Sequence, residues 1–257
     1  MKIVTFNLRC AWRGDGINSF IHRVGMIYEK INAEKPTVIG FQEVKPIQLD
    51  LLKKMLPEYE FTGLFRSEKF AEEGLFVALR KEEAEAIGSE TYWLSPTPFL
   101  PGSRFPNQSN CPRVCNVVTL LLKESLRRIR LINLHLDHIS EEARVTGMKC
   151  VLDDLASREK IFSLPTLLFG DFNAFPDSEA VSLCRKNAFP RLTDLTSSIP
   201  VSFHAYGQRE EKIDYLFATD DLASECTGAT AWDENDCGIY LSDHYPLCVG
   251  FETKKEN

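Results

Sequence analysis

The sequence predicts an α/β protein of four layers, α-β-β-α, in which two mixed sheets pack face to face and carry their helices outside. Three observations predict it. Strand-like and helix-like segments alternate along the whole of the 257 residues. The pattern falls into two similar halves, each able to supply one sheet covered by helices. The middle of the chain reads as hairpins, which argues against a purely parallel sheet. No repeat, low-complexity tract or Gly/Ser linker interrupts residues 1–257, so a single domain is expected.

The elements follow in order. IVTFNL (3–8) is a short apolar run and reads as a strand. Residues 18–33 read as a helix, begun by Asn-Ser and stopped before Pro36. VIGFQEV (38–44) is a second strand, and PIQLDLLKKML (46–56) is an amphipathic helix with proline at its start. YEFTGLF (59–65) and GLFVALR (74–80) are strands, followed by a Pro-rich loop, YWLSPTPFLPGSRFPNQSNCPR (92–113). CNVVTLLLK (115–123) and RIRLINLHL (128–136) pair as a hairpin around residues 124–127. Residues 141–158 are helical, LPTLLFGDF (164–172) is a strand and 178–186 a helix. KIDYLFAT (212–219) and YPLCVGFE (245–252) are the last strands.

Composition narrows the class. A hydrophobic fraction of 44% with 26% charged residues is that of a soluble globular chain with a real core. No apolar run approaches the roughly 18 residues of a membrane span. MKIVTFNLRC has neither the apolar region nor the small-residue cleavage site of a signal peptide, so it reads as mature protein. Eight scattered cysteines form no CxxC pair and no zinc pattern. Free thiols and the missing signal point to the cytoplasm. A formal charge of −7 argues against long-range capture of a polyanion, and Arg127, Arg128 and Arg130 read as a solvated turn or face. No membrane attachment and no obligate protein partner is expected.

The stretch LLFGDFNAFPDS (167–178) carries the first functional signal. Residues two apart on a strand point the same way, so Asp171 and Asn173 project together from the end of a core strand. Strand ends are where α/β sheets build their sites, although Gly-Asp and Asn are also turn residues. Other apolar runs end in the same manner: Asn7 closes IVTFN, Glu43 closes VIGFQE and His135 closes LINLH. Asp214 opens IDYLF, and Asp243 and His244 precede YPLCV. Each has an ordinary reading alone, as a turn cap, a helix cap or a core histidine. Strand ends of one packed sheet system converge, which favours reading them as one cluster.

The chemistry of that cluster is specific. Glu43, helped by Asn7 and Asp243, offers hard oxygen ligands without thiolates, a set suited to Mg²⁺ or Mn²⁺. Asp171 is placed to orient and deprotonate a water, and Asn173 to donate a hydrogen bond to substrate. His135 and His244 can stabilise negative charge on phosphorus or protonate a leaving group. Asp214 would hold His244 in one tautomer and keep it cationic. The sum is metal-assisted hydrolysis of a phosphate ester.

TFNLR, FQEV, NLHLDH, GDFNAFPDS, KIDYLF and SDHYP, in this order between residues 3 and 251, resemble the endonuclease/exonuclease/phosphatase superfamily, with the deoxyribonuclease I-like fold. The resemblance implies the four-layer sandwich, Glu43 on the metal with Asn7 and Asp243 beside it, and Asp171 at the nucleophilic water. It also implies Asn173 and His135 at the phosphate and an Asp214–His244 pair. DGINSF with Arg23, YWLSPTPFLPGS, CPRV and SFHAY resemble the bacterial branch near the carbon-catabolite-repression deadenylases. On this basis Arg113 of CPRV is expected near a substrate phosphate, a surface arginine being the alternative. His204 of SFHAY is expected to line the pocket, a core histidine being the alternative. His138 is expected to support its loop, and His22 to be structural or solvated.

The leading expectation is a Mg²⁺-dependent phosphodiesterase of nuclease type, acting 3′–5′ on short or single-stranded RNA or DNA. The alternative keeps the chemistry and changes the substrate to a small phosphorylated metabolite, such as a sugar, inositol or nucleotide phosphate. A third reading, a catalytically silent binding module, is disfavoured by the presence of every polar residue the chemistry needs. The Pro-rich segment 95–112 has the length of a functional loop and is expected to form a wall of the site.

Overall fold

Two six-stranded sheets stacked face to face form the centre of the computed structural model, which describes residues 1–252. The first sheet takes β1 (Lys2–Asn7), β2 (Val38–Val44), β3 (Tyr59–Phe65) and β4 (Gly74–Arg80), with α1 (Phe20–Glu34) and α2 (Pro46–Met55) packed outside. The second takes β5 (Ala84–Trp93), β6 (Val114–Leu122), β7 (Arg128–His135), β8 (Thr166–Asp171), β9 (Leu192–Asp194) and β10 (Asp214–Thr219). On its outer face lie α3 (Glu141–Ile161) and α4 (Glu179–Arg185). After α5 (Asp220–Ala223) the chain returns to the first sheet. There it adds β11 (Cys226–Ala231) and β14 (Leu247–Phe251), and between them β12 (Asn235–Asp236) and β13 (Ile239–Tyr240) form a separate two-stranded hairpin. The sheet orders are β11-β14-β1-β2-β4-β3 and β5-β6-β7-β8-β10-β9.

Central strands are apolar on both faces because each face meets a different layer. Ile3 of β1 packs between the sheets with Val38, Leu131 and Phe169, while its neighbours Val4 and Phe6 pack outward against α1. This two-sided burial is why these strands appear as continuous apolar runs. Gly40 of β2 lets the sheets approach: a Cβ there would sit 2.0 Å from the Phe169 ring.

The pairing within each sheet is what positions the site. β1 and β2 run parallel, as do β7 and β8, and both pairs lie near the centre of their sheets. β14 and β10 flank them antiparallel. The carboxyl ends of β1, β2, β7 and β8 therefore open onto one edge of the sandwich, next to the start of β10. Among the described residues no helix is long and apolar enough to cross a membrane.

The two-sheet, helix-flanked α/β architecture is the one expected, and the departures lie at edges. β5 is a ten-residue strand where no strand was expected, and Tyr92 and Trp93, placed in the Pro-rich loop, belong to it. Its stretch AEAIGSETYW mixes acids with one glycine because much of the strand faces solvent at the sheet edge. β9, β11 and the β12–β13 hairpin are short or polar and were likewise unforeseen. Arg130 corrects the reading of a solvated basic cluster. It points inward from β7, 4% exposed, in a buried ion pair with Glu159 of α3. Arg128 does face outward, whereas Arg127 is half-buried and paired with the buried Glu225 at 2.6 Å.

Candidate active site

Asn7, Glu43, His135 and Asp171 arrive from four strand ends, and local backbone features aim each of them. Gly170 precedes Asp171 at φ +140°, and a Cβ there would lie 1.9 Å from the Leu134 carbonyl oxygen, so only glycine allows β8 to run this close to β7. The register then sets His135 opposite Asp171, and Asp171 opposite Asp214 of β10. Glu43 lies where the β2–β4 register shifts, with φ +59°. The irregularity turns its carboxylate into the cleft, a strained conformation of the kind that clusters at functional sites. Asn173, at φ +48°, takes the left-handed conformation that asparagine tolerates.

Hydrogen bonds join the two sheets here. Asn7 Nδ2 donates to Glu43 Oε1 at 3.2 Å and to Asp171 Oδ2 at 2.9 Å. The backbone N–H of Cys10 donates to Glu43 Oε2 at 3.0 Å, and that of Asn173 to Asp171 Oδ1 at 2.8 Å. His135 Nε2 lies 3.4 Å and His244 Nε2 3.9 Å from the same oxygen, Asp171 Oδ2. His244 Nδ1 donates to Asp214 Oδ2 at 2.8 Å, the orienting contact expected for this pair. Asp243 faces the same cleft, with Arg9 Nε 3.6 Å from its Oδ2. One detail differs from expectation: Asn7 Oδ1 accepts from the Arg9 N–H at 3.0 Å, so its amide nitrogen, not its oxygen, faces the carboxylates.

The electrostatics divide the two histidines. Burial opposes a charge on His244, yet Asp214, Asp171 and Asp243 together raise its pKa to about 10. His135 is driven well below its ordinary value by burial and by Arg113 and Arg66, so it is neutral and serves as a hydrogen-bonding group. Burial and the neighbouring Asp214 and Glu43 raise Asp171 to about 7. Burial pushes Asp243 up as well, with Glu43 adding to it. Burial works on Glu43 in the same direction, but the Cys10 N–H, His244 and Asn7 outweigh it and hold it ionised.

This crowding of carboxylates is the property that tests whether a divalent cation fits. Glu43, Asp171 and His135 each present a donor atom within 4.8 Å of the others, and Asp171, Asp214 and His244 do likewise. Asp171 and Asp243 are raised first by burial and then by neighbouring carboxylates, and a hard cation would relieve that like-charge part. The donor set, mainly carboxylate oxygen, fits such an ion. When bound, a divalent cation supplies Lewis acidity and neutralises charge on phosphate oxygens.

These residues open into a cleft of about 560 Å³. At its floor lie two arginines, only one of them expected. Arg113 is 4% exposed and meets His138 Nδ1 at 2.9 Å; its Nε lies 3.9 Å from Asp137 Oδ2 in a buried ion pair, and neither Nε nor Nη1 has a hydrogen-bond partner. Arg66, 8% exposed, pairs with Glu73 at 2.7 Å and leaves Nε unpartnered. Arg66 and Glu73 flank the β3–β4 turn, whose charge-rich sequence looks like any solvated turn. Behind them a void of about 10 Å³ ends against Leu75, Pro112 and Val114. Arg144, Phe175 and Phe203 line the walls and were also unforeseen.

His204 is a correction: it does not line the cleft. Its ring stacks on Tyr245 at 3.9 Å, and its Nδ1 accepts from the Gly207 N–H. Neighbours on extended backbone point opposite ways, and it is Phe203 that faces the cleft, against His244. The Pro-rich segment contributes to the wall only by its last residues, Cys111 and Pro112. Ser109 donates to Asp137, which also accepts from the Ile139 and Ser140 N–H groups and so ties this end of the segment to the loop after His135. His138 lines the cleft, and His22 is exposed on α1.

Solved structures of this architecture cover nearly the whole chain. An endonuclease/exonuclease/phosphatase from Bacteroides vulgatus is 26% identical with a TM-score of 0.88, over 98% of each chain. A functionally unknown conserved protein from Enterococcus faecalis V583 is 29% identical with a TM-score of 0.86, over 98% of this chain and 100% of that one. The mannosyl-6-phosphatase Bt3783 of Bacteroides thetaiotaomicron is alike in fold, at 23% identity and a TM-score of 0.85, over 98% and 100%. No curated protein matches the chain in sequence. The family model described as endonuclease/exonuclease/phosphatase matches residues 4–244, a span that contains every polar residue of the cluster, and the chain belongs to that family.

Proposed function

We propose that this protein is a divalent-cation-dependent phosphoester hydrolase that removes a terminal phosphate from a small phosphorylated metabolite. The observation that carries the proposal is the blind floor of the cleft. Guanidinium nitrogens of Arg66 and Arg113 that lack hydrogen-bond partners border a small space lined by Glu43, His135, Leu75, Pro112 and Val114, and the nearest counter-charge to Arg113 is Asp137, 3.9 Å from its Nε. Buried unpaired N–H donors are costly unless a ligand completes them. A terminal phosphate in the cleft could set one oxygen against these nitrogens, since the space beyond, about 10 Å³, has room for a single water-sized group and for no esterified continuation. A chain of nucleotides needs an open groove on both sides of the scissile bond. The nuclease expectation of the sequence therefore yields first place to the phosphatase. The mannosyl-6-phosphatase, similar in fold, supports this choice at the level of fold.

In this reading Glu43 and Asp243 would hold the cation, Mg²⁺ or Mn²⁺. Asp171, held by Asn7 and the Asn173 N–H, orients a water and takes its proton as the water attacks phosphorus, while the bond from phosphorus to the ester oxygen breaks and that oxygen leaves as the alcohol, taking its proton from solvent. Asn173 Nδ2 donates one hydrogen to the Leu136 carbonyl at 3.1 Å, so its second N–H, with His135, would hydrogen-bond the phosphate oxygens, and Arg66 and Arg113 would neutralise them. Protonated His244, oriented by Asp214, stabilises the charge that builds in the transition state.

The test is orthophosphate release from hexose phosphates, inositol phosphates and nucleoside monophosphates, with Mg²⁺ and with EDTA. A 5′-labelled oligoadenylate is incubated in parallel. The expected outcome is phosphate release with Mg²⁺, loss in EDTA and an intact oligonucleotide. A cleavage ladder that needs both Mg²⁺ and Asp171 would return the nuclease to first place. Undiminished turnover in EDTA would remove the cation.

A further inference from the structure

The cleft does not end at Asn173 on its open side. It continues into a recess of about 250 Å³ lined by Glu141, Arg144, Phe175 and Asp177. Arg144, Asn173 and Phe175 border both spaces, so the recess is the direct extension of the site away from the blind phosphate end. We propose that this recess is the leaving-group subsite, and that it takes the ring of a phosphorylated sugar stacked on Phe175. The inference rests on the phosphatase reading above for its substrate and on separate residues for its site.

Phe175 carries the argument. Phe175 is 52% exposed, yet hydrogen bonds hold the backbone around it. The Tyr215 hydroxyl donates to the Ala174 carbonyl at 2.8 Å, and the Ser178 N–H to the Phe175 carbonyl at 3.0 Å. Pro176 restricts Phe175 to extended backbone, and Arg185 donates to the Pro176 carbonyl at 2.5 Å. A large aromatic ring held in water on a rigid turn, two residues after Asn173, is preorganised for a ligand face.

The polar groups decide what kind of face. Carboxylates of Glu141 and Asp177 accept hydrogen bonds and repel anions. A nucleic acid running through the recess would bring its next phosphate against them. A sugar instead offers hydroxyl donors to the carboxylates and an apolar C–H face to the ring. Arg144 adds a donor: its Nη1 is bound to the Asp137 carbonyl at 3.0 Å, and its buried Nε has no partner.

Two measurements test this. Steady-state kinetics on a hexose 6-phosphate and on glycerol 1-phosphate, which lacks the ring, give a ratio of kcat/KM values. Phe175→Ala should lower that ratio about tenfold, through KM for the hexose phosphate. Phe175→Trp should restore it, and Glu141→Gln with Asp177→Asn should lower it in the same direction. An unchanged ratio in Phe175→Ala, or equal loss of kcat on both substrates, overturns the subsite. Saturation-transfer NMR with an unphosphorylated methyl hexoside reads the recess without turnover, and its signal should vanish in Phe175→Ala. Phosphate release indifferent to Phe175 would sink the subsite and leave the phosphatase. Hexoside binding that needs Phe175, in an enzyme inert on every monoester, would do the reverse. A wild-type protein that binds no hexoside and shows no preference for the ring also overturns the subsite.

Discussion

Asp171 and His244 show how one buried setting gives neighbouring groups opposite duties. The raised Asp171 pKa, about 7, makes it a better proton acceptor than a surface carboxylate. His244, held protonated by Asp214 and its neighbours, supplies a fixed positive charge. On the proposed mechanism Asp171→Asn keeps the shape and removes the base, so kcat should fall by about 10²–10⁴-fold with the thermal midpoint little changed. Phosphate release by the purified variant measures this, and near-normal turnover would take Asp171 out of the mechanism. His204 predicts a pH effect on stability instead. Burial and His244 lower its pKa from 6.5 to about 4, and its Nε2 is buried without a partner. The unfolded chain therefore binds more protons between these values. The stability due to neutral His204 is complete above about pH 6.5 and is lost as pH falls toward 4. The effect is at most about 3 kcal/mol. Urea midpoints across pH 4–7 should fall with acidity, less steeply in His204→Phe, and equal slopes would refute the assignment.

Secondary elements were readable where both of their faces are buried. β1, β2, β7, β8 and β10 are nearly continuous apolar runs, and each was placed to within a few residues. β5 and β11 were not, because edge strands with one wet face carry acids, glycine and threonine that also suit loops. Arg130 and Glu159 failed for a related reason. Periodicity detects apolar faces, not a charge whose partner lies 29 positions away on α3. That pair ties β7 to α3, and Arg130 also donates to the Phe162 carbonyl at 2.9 Å and to Thr166 Oγ1 at 3.2 Å. Glu159→Ala leaves a buried guanidinium without its carboxylate, and should cost about 3–5 kcal/mol in denaturant unfolding. A cost below about 1 kcal/mol would mean that solvent reaches Arg130.

Across the molecule, the motifs and their order were sufficient for the fold class, the family and the polar set at the strand ends. Asn7, Glu43, Asp171, Asp214 and His244 were legible because each interrupts an apolar run with a residue no core needs. Local pattern carries that information, since a strand in two-sided contact must be apolar until it leaves the core. What surrounds the polar set depended on which turns pack together. Arg66, Glu73, Arg144 and Phe175 lie on turns and on a helix, from three separate regions of the chain, and nothing in their own neighbourhoods separates them from solvated residues. His204 and Phe203 exchanged places because a one-residue shift in an extended segment reverses which side chain faces the cleft. The irregularity at Glu43, the blind floor behind Arg113 and the recess beyond Asn173 are spaces between elements. Space between elements is set by how two sheets stack, and only the packed chain defines it.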